Sequence, residues 1–448
     1  MVPTLLTPTN EYTKITYGDI RKNGDFYYNN TIKPNHLGIS VLHFSTYFKC
    51  AGQSIAANRI NRGLYEKGVD SKLVTTLREG INSNNLPPNV FEVSKQTEPF
   101  GVYQERVTLY KYPQRLFGLG DNFHTGLVGI DIKKEVAKYN PDIVQLHFIN
   151  DGFIKLEDLA NIDKPIVWRL SDCWAATGGC HFALGCNKYQ SGCGGCYVLV
   201  SNDESDISKE VWERKQRLFK AIKEKVTFVT PSKWLYDFCK NSSLLKEQHI
   251  VHIPNGLDTK NQYFPDLEND FGFPSDKTII LYGAEDAKSN RKGWKYLKEA
   301  LIALPDKEKY HLVTFGYISQ GDCNIPGLSC TSMGPVYETH ILRKLYSAAS
   351  FFVCPSIVEP FGQVVTEAMA CGTPVLVFSN TGPGSIIKHL KTGYVAKYKD
   401  ISDLVNGIHY LSSYPLGRLY ARKEAIEVYD ISKVTDSYIN LYQSLISK

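Results

Sequence analysis

No apolar run in this sequence reaches the length needed to cross a bilayer. The first residues, Met1-Val2-Pro3-Thr4-Leu5-Leu6, lack both a basic start and an apolar stretch of signal-peptide length. A cytoplasmic location is therefore expected. Charge is not lopsided either: 51 Lys and Arg stand against 46 Asp and Glu, a net +5. That balance demands no nucleic acid partner, yet it does not hinder work on an anionic donor or beside an anionic membrane. Short-period repeats and low-complexity tracts are also missing. Eleven cysteines are present, and an odd count without a secretory signal argues for reduced thiols or metal ligation rather than a disulfide framework.

A chain of 448 residues is too long for one ordinary core and suits two domains of roughly 200 residues each. The most informative stretch runs from Phe351 to Val377. An apolar β-rich run ends at Pro355, a loop carries Glu359, Phe361 and Gly362, an amphipathic segment spans Gln363 to Cys371, and Gly372-Thr373-Pro374 opens another apolar run. That is a strand–helix–strand unit. Backbone N–H groups at the helix start at Gly362-Gln363 form an anion site, and Gly362 admits a close phosphate. Carboxylates such as Glu359 and Glu367 accept paired hydrogen bonds from vicinal hydroxyls, as a ribose or a hexose presents them. Sugar, phosphate and ribose are the parts of a nucleotide sugar.

Glu359 and Glu367, with Pro360-Phe361-Gly362 between them and Glu367-Ala368-Met369-Ala370-Cys371-Gly372-Thr373-Pro374-Val375 following, resemble the donor-site motif of retaining glycosyltransferases of family 4. The resemblance covers roughly residues 38–448 and is strongest at 168–196 and 279–395. It implies an α/β chain of GT-B type, with two Rossmann-like doubly wound domains facing across an interdomain cleft. Residues 1–37 then form an extension, 38–255 an acceptor-side domain, 256–433 a nucleotide-sugar domain, and a final helix at 434–448 crosses back to the first. It also implies no cofactor for the chemistry, a nucleotide-diphosphate sugar as donor, and a glycan or lipid-linked glycan as acceptor, in polysaccharide or other surface-glycan assembly. In such an enzyme Glu367 binds the ribose hydroxyls and Glu359 those of the donor sugar.

Several further positions follow from the same resemblance. Arg291 and Lys292 precede Gly293 at a helix start, where cations beside oriented N–H groups can clamp a diphosphate. Gly283 ends the preceding strand, with Ala284 where the family commonly has arginine. Gly52 opens a helix after the first strand, with Ala51 where the family has another glycine. His147, near the exit of the strand Ile143–Ile149, corresponds to a histidine beside the reacting sugar, although a lone histidine in an apolar strand is also the pattern of a satisfied core group. Ser385 stands where an acid is usual, and Ser171 where a histidine is usual. Departures of this kind keep two other readings open: a nucleotide-sugar 2-epimerase of the same fold, and a non-catalytic nucleotide-sugar-binding protein.

Within the first of the two best-matched regions lies a cysteine segment. Cys180, Cys186, Cys193 and Cys196 are close enough in sequence to enclose one tetrahedral ion, with His181 as a spare ligand, and Cys193/Cys196 has the two-residue gap of a zinc knuckle. A structural zinc and a buried thiol cluster both fit. Downstream, a helix expected from Trp212 to Val226 carries Arg214, Lys215, Arg217, Lys220, Lys223 and Lys225. This basic amphipathic face suits peripheral contact with the inner membrane surface, and equally a solvated face on a core helix.

Overall fold

The computed structural model describes residues 36–48, 52–77, 86–93, 103–105, 107–112, 123–130, 132–266, 268, 271–284 and 289–447. Most of the expected extension at 1–37, the position of Ala51 and the loop at 285–288 lie outside these. The chain divides into two compact units, residues 257–430 and a second made of the preceding described residues to 256 together with 431–447.

In the unit closed by the C-terminal helix, seven parallel strands form one sheet: β1 (Ser40–Tyr47), β2 (Asp70–Thr76), β3 (Val90–Glu92), β4 (Ile143–Leu146), β5 (Ile166–Arg169), β6 (Val226–Thr230) and β7 (His249–His252). Their spatial order is β3-β2-β1-β4-β5-β6-β7. Runs such as Val41-Leu42-His43-Phe44 and Ile143-Val144-Gln145-Leu146 are buried throughout, as strands covered on both faces must be. Leu42, Phe44, Val144, Leu146 and Trp168 pack on one face. Val41, Ile143 and Val167 pack on the other, beneath the helices Gly52–Glu66 and Ile431–Ile446. These two helices meet closely, since a Cβ on Gly63 would lie 2.7 Å from Thr435 Cγ2. The terminal helix begins at Ile431, three residues earlier than expected.

The other unit has six parallel strands, β8 (Thr278–Ala284), β9 (Tyr310–Gly316), β10 (Ser329–Ser332), β11 (Phe351–Cys354), β12 (Val375–Phe378) and β13 (Gly393–Ala396), in the order β10-β9-β8-β11-β12-β13. Alternate residues again feed two cores: Leu281, Phe352 and Val377 on one face, Ile280, Val353 and Leu376 on the other. In each sheet the chain builds outward one way and then returns to build outward the other way. The strand order therefore reverses between β1 and β4 in one unit and between β8 and β11 in the other. At such a switch point the loops leaving neighbouring strands diverge, and the crevice beyond the strands' carboxyl ends holds ligands.

One helix differs from its expected span. It runs Ile207–Ala221 rather than from Trp212 to Val226, because Asp206 caps it by accepting hydrogen bonds from the Ser208 and Lys209 N–H groups. Half of the basic residues read on this face are committed within the protein. Arg214 forms a paired salt bridge to Glu157 at 2.7 and 2.8 Å and donates to the Thr125 and Gly126 carbonyls. Lys215 is fully buried, and Lys225 donates to the Ala160 and Ile162 carbonyls. Arg217, Lys220 and Lys223 remain exposed, half of the basic face read from the sequence.

Candidate functional site

The loop leaving β8 and the loop leaving β11 meet at the switch point of the six-stranded sheet. Lys292 Nζ donates to Glu359 Oε2 at 2.6 Å, and Arg291 stands 3.6 Å from the same oxygen. The three side chains retain about one-fifth of their exposure, so they border open space rather than fill a core. Burial opposes charge on Glu359. Lys292 and then Arg291 attract that charge, and hydrogen bonds from Lys292 and the Phe361 backbone add to the attraction, so the carboxyl is held below its usual range.

The backbone fixes this meeting. Ile357 N–H donates to the Arg291 carbonyl at 2.9 Å, tying the two loops together. Gly293 has φ +74°, and a Cβ there would lie 1.8 Å from the Pro355 carbonyl oxygen, so only glycine lets the loops approach. A third loop, after β12, closes on the second: Gly382 N–H donates to the Glu359 carbonyl at 2.8 Å. Ser385, at the position usual for an acid, is exposed and donates to the Gly382 carbonyl at 2.7 Å.

Glu359 leads through Phe361 to Gly362, which adopts φ +92° and starts the helix Gln363–Ala370 without a side-chain cap. One turn inside that helix lies Glu367, 7% exposed, with Tyr346 OH donating to its Oε2 at 3.3 Å. The structure thus brings Arg291, Lys292, Glu359, Phe361, Gly362, Gln363 and Glu367 to the carboxyl edge of one sheet. Gly283 has another role: a Cβ there would lie 2.2 Å from the Phe315 ring, so ring packing explains the glycine. Tyr346 was not singled out from the sequence, where nothing separates it from the other tyrosines.

In the seven-stranded unit, Gly52 is the first residue of the helix after β1 and is exposed. His147, just past β4, differs from the sugar-facing group the sequence suggested. It is 2% exposed, and both ring nitrogens are committed: Arg169 Nε donates to its Nδ1 at 2.9 Å, and its Nε2 lies 3.0 Å from His43 Nδ1. Because arginine only donates, His147 accepts at Nδ1 and donates from Nε2 to His43. His43 in turn donates to Ser71 Oγ at 3.0 Å, and Ser71 to Asn61 Oδ1 at 2.7 Å. Burial, then Arg169, then His43 push the His147 pKa well down, and burial alone brings His43 to about 3. Both rings are neutral members of a polar chain across the β1/β4 switch point. Arg169 anchors that chain, donating also to the Asn255 side chain and the Gln53 carbonyl. The signal for it was legible: an arginine ending the apolar run Ile166-Val167-Trp168.

A second buried network follows β5. His124 Nδ1 lies 2.7 Å from His181 Nε2. His124 Nε2 lies 2.5 Å from Asp151, and His181 Nδ1 lies 2.8 Å from Asp172. His181 therefore has no nitrogen left as a spare metal ligand. Neither network had been read from the sequence, since their members lie up to 104 residues apart.

Two parallel, doubly wound units with these switch points define a GT-B type architecture, and solved glycosyltransferases share it. A sucrose-phosphate synthase from Thermosynechococcus elongatus superposes with a TM-score of 0.67 at 19% identity, over 91% of this chain and 99% of that one. The Anabaena protein HepE, solved in complex with UDP-glucose, gives 0.55 at 15% identity, over 91% and 100%. Residues 264–428, which lie in the six-stranded unit, match the family model of glycosyl transferases group 1. Among curated proteins, a putative colanic acid biosynthesis glycosyl transferase of Escherichia coli (strain K12) is 23% identical over 433 residues, 91% of this chain and 100% of that protein. An uncharacterized glycosyltransferase of Methanocaldococcus jannaschii is 30% identical over 184 residues, 38% of this chain and 46% of that protein. No helix among the described residues is long and apolar enough to cross a membrane.

Proposed function

We propose that this chain is a glycosyltransferase of family 4 type that moves a sugar from a nucleoside-diphosphate sugar to a glycan hydroxyl, with retention at the anomeric carbon. The observation that carries the reading is the meeting of Lys292, Arg291 and Glu359 at the β8/β11 switch point, one loop away from the glycine-started helix that holds Glu367. The group 1 family match over this unit supports it. So do the Anabaena neighbour's bound UDP-glucose and the E. coli relative, which is named for colanic acid biosynthesis.

Glycosyl transfer builds negative charge on a leaving diphosphate and positive charge on the sugar ring, and a site accelerates it by stabilising both. Lys292 and Arg291 supply fixed cations for the diphosphate, and the helix start at Gly362-Gln363 supplies oriented N–H groups. Glu359, ionised beside its cations, accepts hydrogen bonds from the donor-sugar hydroxyls. Glu367 accepts those of the ribose. As the bond from the anomeric carbon to the phosphate oxygen breaks, an acceptor hydroxyl adds on the same face, and its proton passes to the departing phosphate. His147 touches no sugar in this reading. Its two committed nitrogens support a positioning role, with His147 holding Arg169 beside the start of the Gly52 helix.

The test is incubation with nucleoside-diphosphate sugars and oligosaccharide acceptors, followed by NMR of the product. Nucleoside diphosphate released in step with an α-linked product from an α-linked donor supports the reading. A 2-epimeric nucleotide sugar formed without acceptor would assign the site to an epimerase, and donor binding without turnover would assign it to a sensor.

A further inference from the structure

The transfer chemistry leaves the cysteine segment after β5 unused. Cys180, Cys186, Cys193 and Cys196 carry free thiols, and all four line one cavity of about 20 Å³. A space of that size holds a single water-sized atom or ion and no organic ligand. Four thiols from a seventeen-residue span around one atom-sized space are more than close packing requires.

A backbone donor reaches one of these sulfurs. Gly178 N–H donates to Cys193 Sγ at 3.1 Å. The Thr177 hydroxyl donates to the Cys180 carbonyl at 2.6 Å and so fixes the backbone at that cysteine. Between Cys193 and Cys196 the chain turns through Gly194 at φ +142° and Gly195 at φ +51°. Cβ atoms there would lie 2.3 Å from the Glu204 carbonyl oxygen and 2.7 Å from its carboxylate. Beside the segment, Lys215 is fully buried, and no carboxylate among the described residues is in hydrogen-bond contact with it. Its Nζ donates to the Trp174 and Thr177 carbonyls and lies 3.5 Å from the centre of a Trp174 ring. Burial pushes the Lys215 ammonium down to about 7, and thiolates in the adjoining cavity would favour its charged form.

We propose that Cys180, Cys186, Cys193 and Cys196 bind one structural zinc ion. Each thiol loses its proton on binding, so Zn²⁺ and four thiols give a tetrathiolate of charge −2 and four released protons, with Lys215 as the neighbouring counter-charge. Soft, tetrahedral sulfur sets select zinc or iron–sulfur clusters, and a space for one atom favours the single ion. Among the described residues no group of three or more such side chains is already set to hold an ion, so binding includes an inward turn of thiols that now only line the space. The ion would pin the loop that carries Asp172 and His181 beyond β5. This inference is independent of the transferase reading.

The experiment is elemental analysis of the full chain purified without chelator, together with release of metal by a mercurial thiol reagent. About one zinc per chain, freed as about four thiols react, is expected. Cobalt substitution should give the charge-transfer and d–d absorption of a tetrahedral thiolate site. The Cys193→Ser/Cys196→Ser variant should lose the metal. If that variant does not fold, the mercurial titration of the native chain decides. Metal-free protein with four reactive thiols, disulfides found by mass spectrometry of alkylated peptides, or iron with labile sulfide would each overturn the proposal.

Discussion

Removing Lys292 asks the most of the loop junction at the switch point, because it leaves Glu359 facing only Arg291 at 3.6 Å. The pair it breaks, at 2.6 Å, lies between the exposed and the buried limits, since each side chain keeps about one-fifth of its exposure. Exposed pairs contribute about 0.2–1 kcal/mol, and breaking a buried one costs about 3–5, so Lys292→Ala should cost about 1–3 kcal/mol of unit stability. For a unit of this size that is a fall of roughly 2–10 °C in melting temperature. Glu359→Gln should cost less, because its two cations can turn to water. If the pair is one interaction, the double variant Lys292→Ala/Glu359→Gln will be less destabilised than the sum of the singles, by about 1 kcal/mol or more. Thermal and denaturant melts of the four proteins give the cycle directly. Strictly additive effects would refute a working ion pair, and with it the idea that the folded chain preorganises these groups.

Other expectations follow from the same geometry. Gly293→Ala adds a methyl 1.8 Å from the Pro355 oxygen at a positive φ; it should cost about 1–2 kcal/mol from the backbone alone and weaken donor binding about tenfold or more as Lys292 is displaced, whereas unchanged binding by calorimetry would contradict the role of this glycine. His43 and His147 stay neutral in the folded chain and take up protons once unfolded. Stability should therefore be full above the ordinary histidine pKa and fall by roughly 2–3 kcal/mol between pH 6 and 5; denaturant melts that show no loss across that window would rule it out. Asp206→Ala removes the cap of the helix Ile207–Ala221 and the acceptor for the Cys196 N–H, and should lower stability by about 1–2 kcal/mol in a melt.

Much of the strand framework was legible because fully buried parallel strands read as continuous apolar runs, as in Phe351–Cys354 and Val375–Phe378. The helix beginning at Ile207 was read five residues late, because its cap sits inside the polar run Ser201–Ser208 and Trp212 looks like the first periodic apolar residue. Glu359, Gly362 and Glu367 could be found because one loop and one helix hold them within nine residues. The state of His147 could not, since whether its ring is spent depends on His43 and Arg169, 104 and 22 residues away. Likewise, the basic residues of the Ile207–Ala221 helix look free in sequence, and only packing shows Arg214 and Lys215 committed inward.

The most direct measurement is calorimetric titration of the full chain with a panel of nucleoside-diphosphate sugars, with Glu367→Ala and Lys292→Ala alongside wild type. A donor site at the β8/β11 switch point predicts that one donor binds wild type, and that each variant loses about 10²-fold or more in affinity while its far-UV spectrum is retained. Binding that both variants keep at wild-type strength would contradict it.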